Sequence, residues 1–467
     1  MSQDTRRASD LARIPEGPLT RRTLLKGAGS AGALLLGGSV LAACGSDSGG
    51  AATTAAGKTQ DVTVKFWTHD PLLSVPFVKQ EAKRLSAAAN APYRYKIVPT
   101  IIPADQIPPK ARAAFLAKTN APDLPAFEIG AFCQMMGIAD QTLVDLTDAV
   151  GAVRGENIDK LWQPYAVGDR VYGVETSTSW FAGYFRPDEF KKLGLPAPDT
   201  FGTWDELLAA AERAAVPKGK VLGLIGTNSI LATRIFMGFL QQAGGQIFNP
   251  DGSVALKSQA AVDALTMVSK AIQSGVFQAV EDSFAGPGAA ALKSGNVIAN
   301  PAADWYLQYV LQPSVPDQRN QWQLGLLPGF TADGPRGGYF GGLCFSVAKD
   351  SPVADATVEL VKASILTKQG QLDNFKLNNL NPTWKSLYQE PDYLAKTAPF
   401  LGGQRVGEVY AKLIENVPSA PIQSADFGAA ITVVGDELVA AYKGRKSPQA
   451  AISAASSALE AKVKEAQ

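Results

Sequence analysis

The chain has 467 residues, 46% hydrophobic and 19% charged. That is too long for one ordinary core and implies two lobes, and the composition excludes both a wholly disordered chain and a polytopic membrane protein. With 44 basic against 43 acidic residues there is no basic excess, which excludes a dedicated nucleic-acid binder.

The chain opens with about twenty polar residues, followed by Thr20-Arg21-Arg22-Thr23-Leu24-Leu25-Lys26. An uncharged, Gly-rich apolar stretch then runs over residues 27–43. It is too short and too weakly apolar for a spanning helix and reads as a signal peptide over 1–43. The arginine pair resembles a twin-arginine export signal with Leu24 in place of the usual Phe, and general secretion remains an alternative route. Leu41-Ala42-Ala43-Cys44 resembles the bacterial lipobox, which implies lipidation at Cys44. The Gly/Ser/Ala/Thr composition of 44–58 then reads as a flexible tether. The leader carries six basic and three acidic groups, so the chain after it stands near −2.

Val62–Trp67 alternates β-branched and aromatic residues and predicts a strand. A helix is expected over 77–89, a strand over 93–98, a helix over 111–118 and a strand over 123–129. That alternation predicts a parallel α/β sheet. Thr203-Trp204-Asp205-Glu206 is a capping box opening a helix that continues through Ala215. Ser258 is expected to cap a helix with Val262, Leu265, Val268 and Ile272 on one face and Gly275 as its stop. Ser447-Pro448 opens a last helix with Ile452, Ala455, Leu459 and Val463 as its apolar stripe. Gly/Pro-rich punctuation at 328–342 marks crossings between lobes.

His69 is the only histidine, which excludes metal sites needing two, and no metal or cofactor is called for. Cys133 and Cys344 are too few for a disulfide scaffold, and their pairing is left open.

Several segments, in order, resemble one family: Lys65-Phe66-Trp67, Asn120–Leu124, Leu143–Thr147, Val171–Val174 with Tyr184-Phe185-Arg186, Phe190–Leu195, Thr203–Leu207, Gln242–Gly245 with Asn249–Gly252, and Gly341-Gly342-Leu343. Together with the lipobox they are similar to the extracellular solute-binding proteins of ABC importers, in the carbohydrate-binding, maltose-binding-protein-like branch. The resemblance implies an α/β, two-lobed periplasmic-binding-protein-like fold with an interlobe hinge and a central ligand cleft. The lobes are expected at 59–175 plus 340–390 and at 176–339 plus 391–467. It also implies a monomeric, exported, lipid-anchored receptor on the outer face of the cytoplasmic membrane. Such a receptor takes a neutral mono- or oligosaccharide and hands it to two ABC permease subunits.

A sugar presents apolar C–H faces and polar edges, so its site needs aromatic plates beside carboxylates and amides. Four places carry the family's pattern. The end of the first strand offers Trp67, Thr68, His69 and Asp70. The loop after Asp123 offers Glu128, Gly130 and Phe132, with Asp123 itself structural. After Tyr172-Gly173-Val174 come Ser177, Ser179 and Trp180; here Glu175 stands where the family often has proline. The second lobe offers Asp304 and Trp305, then Tyr339 and Phe340 among glycines, and Phe427.

Three rival readings exist. A glycoside hydrolase would need two carboxylates at a defined separation, and nothing fixes such a pair. A phosphorylated ligand such as a glycerophosphodiester or sugar phosphate would use Ser177, Ser179, Thr227, Asn228, Ser229 and Arg234. A scaffold or sensor lipoprotein would expose a large apolar patch.

Overall fold

A computed structural model describes residues 59–158, 161–417, 424 and 426–466. The expected leader, Cys44 and the tether over 44–58 lie outside the described residues. In chain order the strands are β1 (Gln60–Thr68), β2 (Tyr93–Ile101), β3 (Leu124–Glu128), β4 (Ala166–Val167), β5 (Arg170–Val171), β6 (Val174–Glu175) and β7 (Ser179–Phe185). They continue with β8 (Leu224–Gly226), β9 (Gln278–Val280), β10 (Ala299–Ala303), β11 (Gln323–Gly325), β12 (Gly338–Gly341) and β13 (Leu343–Phe345).

The first sheet has the order β2-β1-β3-β13-β6. Alternation places Val62, Val64 and Phe66 inside, while Thr63 and Lys65 face out. The helix Ser74–Ser86 covers that inner face with Phe77, Val78 and Ala82. It starts three residues before the expected 77, because Asp70 accepts hydrogen bonds from the N–H groups of Leu72, Leu73 and Ser74. β1 is parallel to β2 and β3, as the alternating pattern predicts. The expectation of a wholly parallel sheet fails at β13, which is antiparallel to β3 and β6. The reason is topological: β13 returns from the second sheet and enters where β3 leaves, pairing Leu343 with Glu128.

The second sheet is built around β7, with β10, β11 and β12 all antiparallel to it. β7 reads Ser-Trp-Phe-Ala-Gly-Tyr-Phe and is buried on both faces. Helices Trp204–Ala214, Ser229–Gln242, Gln259–Gln273, Phe427–Tyr442 and Pro448–Ala466 supply most of its apolar packing. The local signals hold. Thr203 and Glu206 form both halves of the capping box. Ser258 accepts the Ala261 N–H, and Gly275 follows the helix with φ +80°. Ile452, Ala455 and Leu459 are buried, and Ser447 accepts the Ala450 N–H at 3.3 Å.

The chain passes from the first sheet to the second through Thr176–Thr178 and returns through Gly342. A third strand of chain joins them where Thr178 pairs with Asn381. The strand ends that meet at these crossings build the site. Cys133 and Cys344 are both buried and free.

Asp123, read as structural, is 2% exposed. It accepts the Lys65 N–H at 2.7 Å and the Ser351 hydroxyl at 2.8 Å. It ties β1 to the turn after β13. Asp123→Ala orphans both donors and is expected to lower stability by about 2 kcal/mol, the scale of a lost hydrogen bond to a charged group. A shifted urea midpoint at unchanged slope is the check.

Candidate functional site

A cavity of about 400 Å³ lies where the C-terminal ends of β1 and β3 face the crossings and the segment after β10. His69 and Asp70 come from the end of β1, Glu128 from the end of β3, and Ser177 and Ser179 from the first crossing. Trp305 and Tyr309 follow β10, and Tyr339 and Phe340 lie on β12. Phe427 opens its helix against the same space.

One wall is charged, and its charges are paired. Glu128 receives a hydrogen bond from the Arg234 guanidinium, which reaches over from the helix Ser229–Gln242, and His69 Nε2 sits 3.4 Å from its other oxygen. Burial alone would raise the Glu128 carboxyl, but Arg234 and then His69 overcome it and hold it below its ordinary range. Asp70 is committed differently. Its Oδ2 accepts from the N–H and hydroxyl of Ser74, and its Oδ1 from Leu72, Leu73 and the Tyr309 phenol. The expectation that Asp70 would accept ligand hydroxyls is therefore corrected: it faces the cavity with its acceptor sites already filled by the chain.

The other wall is aromatic. Trp305 meets Phe284 edge-on with ring centroids 5.0 Å apart, Phe340 at 6.0 Å and Tyr309 at 6.2 Å. Edge contacts of this kind fix ring orientation. Phe427 reaches the cavity through Gly130, where an added Cβ would lie 2.5 Å from its ring. Glycine is the residue that permits this approach of the two elements.

Four expected residues lie off the cavity. Phe132 is fully buried, edge-on to Phe127 and Tyr165. Trp180 is 2% exposed, with its indole N–H donating to Tyr388 at 3.2 Å. It sits inside a strand covered on both faces, where an apolar side chain packs as core. Trp67 is partly exposed and packs on the main core. Asp304 is 1% exposed and lies behind Ser179, whose hydroxyl donates to it at 2.9 Å. Asn381 also donates to it at 2.7 Å, and burial pushes its carboxyl up to about 6. Ser179 thus touches the cavity with its hydroxyl proton already given away.

Of the residues named for a phosphorylated ligand, Thr227, Asn228 and Ser229 do not line the cavity. Thr227 donates to Val280 O, Asn228 caps its helix and Ser229 donates to Asp436. Arg234 does line it, but its charge is answered by Glu128. Phe284, Met237, Tyr309 and Leu380 also line it and carry no sequence signal of their own; each is one apolar residue among many. Among the described residues no three His, Cys, Asp or Glu side chains converge as a metal site requires.

Residues 84–400 match the family model for bacterial extracellular solute-binding proteins. The arabinooligosaccharide-binding protein of Bacillus subtilis is 20% identical over 430 residues, covering 89% of this chain and 95% of that one. The cyclic α-maltosyl-1,6-maltose-binding protein of Arthrobacter globiformis superposes with a TM-score of 0.73 at 20% identity, covering 87% of this chain and all of the other. The binding protein of Bifidobacterium animalis subsp. lactis solved with β-1,6-galactobiose gives 0.69 at 18% identity, over 88% and 98% of the two chains. These likenesses show the two-lobed fold the sequence pattern predicts.

Removing the carboxylate charge leaves the Arg234 guanidinium facing the cavity unanswered. Glu128→Gln is expected to cost about 1–2 kcal/mol of stability, between the values for exposed and buried pairs. The loss should shrink in high salt. Urea unfolding at two ionic strengths measures both.

Proposed function

Because the chain belongs to the bacterial extracellular solute-binding proteins, we propose that its cavity captures a neutral mono- or oligosaccharide. The observation that carries this is the pairing of an aromatic wall with a charged wall whose charges cancel. Trp305 offers a plate for the C–H face of a pyranose or furanose ring. Ser177 and the backbone around Gly341–Gly342 remain for its hydroxyl edge. A phosphorylated ligand would need a surplus of positive charge, and Arg234 has none to spare.

Capture works by closure. The two sheets are joined by short crossings, and a ligand touching both walls binds the closed arrangement better than the open one. Its differential affinity supplies the shift. The closed form is then what two ABC permease subunits would read. The receptor acts as a monomer, exported and held to the outer face of the cytoplasmic membrane through a lipid on Cys44.

Hydrolysis of the captured sugar fits poorly. A glycosidase needs one carboxylic acid protonated at neutral pH beside a second carboxylate. Glu128 is held ionised by its partners, Asp70 has its oxygens occupied, and Asp304 is walled off by Ser179.

Thermal unfolding against a panel of neutral sugars and sugar phosphates tests this reading. Arabino-, malto- and galacto-oligosaccharides belong in the panel because similar proteins are named for, or were solved with, such ligands. A neutral sugar is expected to raise the midpoint by mass action. A rise with phosphorylated compounds alone would overturn the neutral-ligand assignment.

Trp305→Ala gives a second check. It should weaken binding of that sugar about tenfold or more, the scale of one lost stacking plate. Calorimetric titration reads the loss.

A further inference from the structure

Glu175 stands at the first crossing, and nothing in the capture of a sugar described above uses it. It closes β6, the last residue on the first sheet before the crossing at Thr176–Thr178. Its carboxyl is buried and takes two phenolic hydrogen bonds. One comes from Tyr339 to Oε1, the other from Tyr165 to Oε2 at 3.3 Å. The backbone of Gly342 lies against it so closely that a Cβ there would be 2.0 Å from Oε1.

Tyr339 belongs to the other sheet. It lies on β12 opposite Trp180 of β7, and its backbone is held at both ends by Gln241, which accepts its N–H at 3.0 Å and donates to its C=O at 2.8 Å. Its side chain forms part of the cavity wall. The Glu175–Tyr339 bond therefore spans the two sheets, joins one crossing to the next, and ends on a residue that lines the cavity. Gly341 between them has φ +136° and sits at an irregularity in the β12–β7 pairing, the conformation of a bend rather than a stiff strand.

We propose that Glu175 is a positioning residue for ligand capture: its carboxyl braces Tyr339 across the hinge and so sets the closed geometry of the cavity. This rests on the reading of the cavity as the ligand site. The titratable groups that face the carboxyl are Tyr165, Tyr339, Cys344 on β13 and, further off, Asp304; none is a cation. A charge there has no partner, and the low-dielectric crossing makes it costly. Burial accordingly pushes the Glu175 carboxyl up to about 8, against two phenols that pull it down. Burial pushes both phenols and the Cys344 thiol further above their ordinary ranges, so Glu175 titrates alone among these groups in weakly alkaline solution.

The direction follows. The folded chain holds the Glu175 proton more tightly than the unfolded chain does. Its stabilising contribution is complete below about pH 4.5 and is lost as pH rises through about 8. Affinity for a sugar that needs the closed geometry is lost over the upper end of the same window.

The experiment compares wild type, Glu175→Gln and Glu175→Ala between pH 6 and pH 9.5. Calorimetry uses whichever neutral oligosaccharide raised the thermal midpoint, and urea unfolding is run without ligand. In wild type, affinity should fall up to about tenfold by pH 9, one unit above the carboxyl's midpoint. Glu175→Ala, folded by circular dichroism, should bind about tenfold or more weakly at pH 7. Glu175→Gln, uncharged at every pH, should restore most of that affinity and bind without the alkaline fall. The infrared band of a buried protonated carboxyl at pH 7 should be present in wild type and absent in Glu175→Gln. A Glu175→Gln variant that loses affinity with pH as wild type does, or a Glu175→Ala variant that binds as wild type, would overturn the proposal. If no sugar binds, the carbohydrate reading fails by itself. The alkaline loss of stability and its absence in Glu175→Gln still decide whether the brace is neutral.

Discussion

The structure depends on burying the strands that cross between its two sheets. A buried crossing must satisfy its backbone polar groups without a continuous ladder, because a continuous ladder would fuse the sheets into one. The chain meets this with amide side chains. Gln371 and Asn374 both donate to the Thr176 carbonyl, and Asn381 bridges to Thr178 through its backbone and to Asp304 through its side chain. The Thr176 N–H reaches Leu343, and the Ile129 N–H reaches Gly342. The bonds made by the Gln371, Asn374 and Asn381 amides keep a side-chain torsional freedom that a strand pair lacks. The hinge is polar, buried and satisfied, and the cavity is what remains where the strands stop.

That origin explains the chemistry of the walls. Strand ends bring backbone and short polar residues, here His69, Glu128 and Ser177, while the second lobe contributes the aromatic cluster around Trp305. Charges placed in such a space must be paired or the fold suffers. Arg234 does that for Glu128, with His69 Nε2 beside its other oxygen. A cavity so balanced gives an ionic ligand no net attraction. It suits a solute that is polar at its rim and apolar on its faces.

Much of this was legible in the sequence because local chemistry is short-range. The caps at Thr203, Ser258 and Ser447, the alternation of β1 and the ends of β1 and β3 follow from neighbours a few residues apart. What escaped depended on distant partners. Asp70 read as a ligand acceptor, yet it stands four residues before Ser74 at a helix entry, and that position was the missed signal. Trp180 is expected at the cleft, although it lies in an unbroken apolar run, Trp180–Phe185, which is the pattern of a strand covered on both sides. Arg234 is expected from the sequence only as a contact for a phosphorylated ligand, and its carboxylate partner lies far away in the chain. Only the approach of β3 gives it a role.

The contacts across the cavity set the terms on which any solute binds. Tyr309 donates to Asp70 and Arg234 to Glu128, so side chains of the second lobe already meet carboxylates of the first. These bonds hold the walls together without a ligand, and they lower what a solute must contribute to favour the closed form. They also set a limit: a solute gains only the difference between its own contacts and those it displaces. Hydroxyls compete poorly with a guanidinium for a carboxylate, since charge-assisted bonds are the stronger. A sugar therefore does best by leaving the Arg234–Glu128 bridge intact and adding its surface to Trp305 and Phe340 beside it. On that argument the bridge acts as part of the wall, and discrimination between sugars falls to the aromatic side and to the glycine-lined backbone of the return crossing.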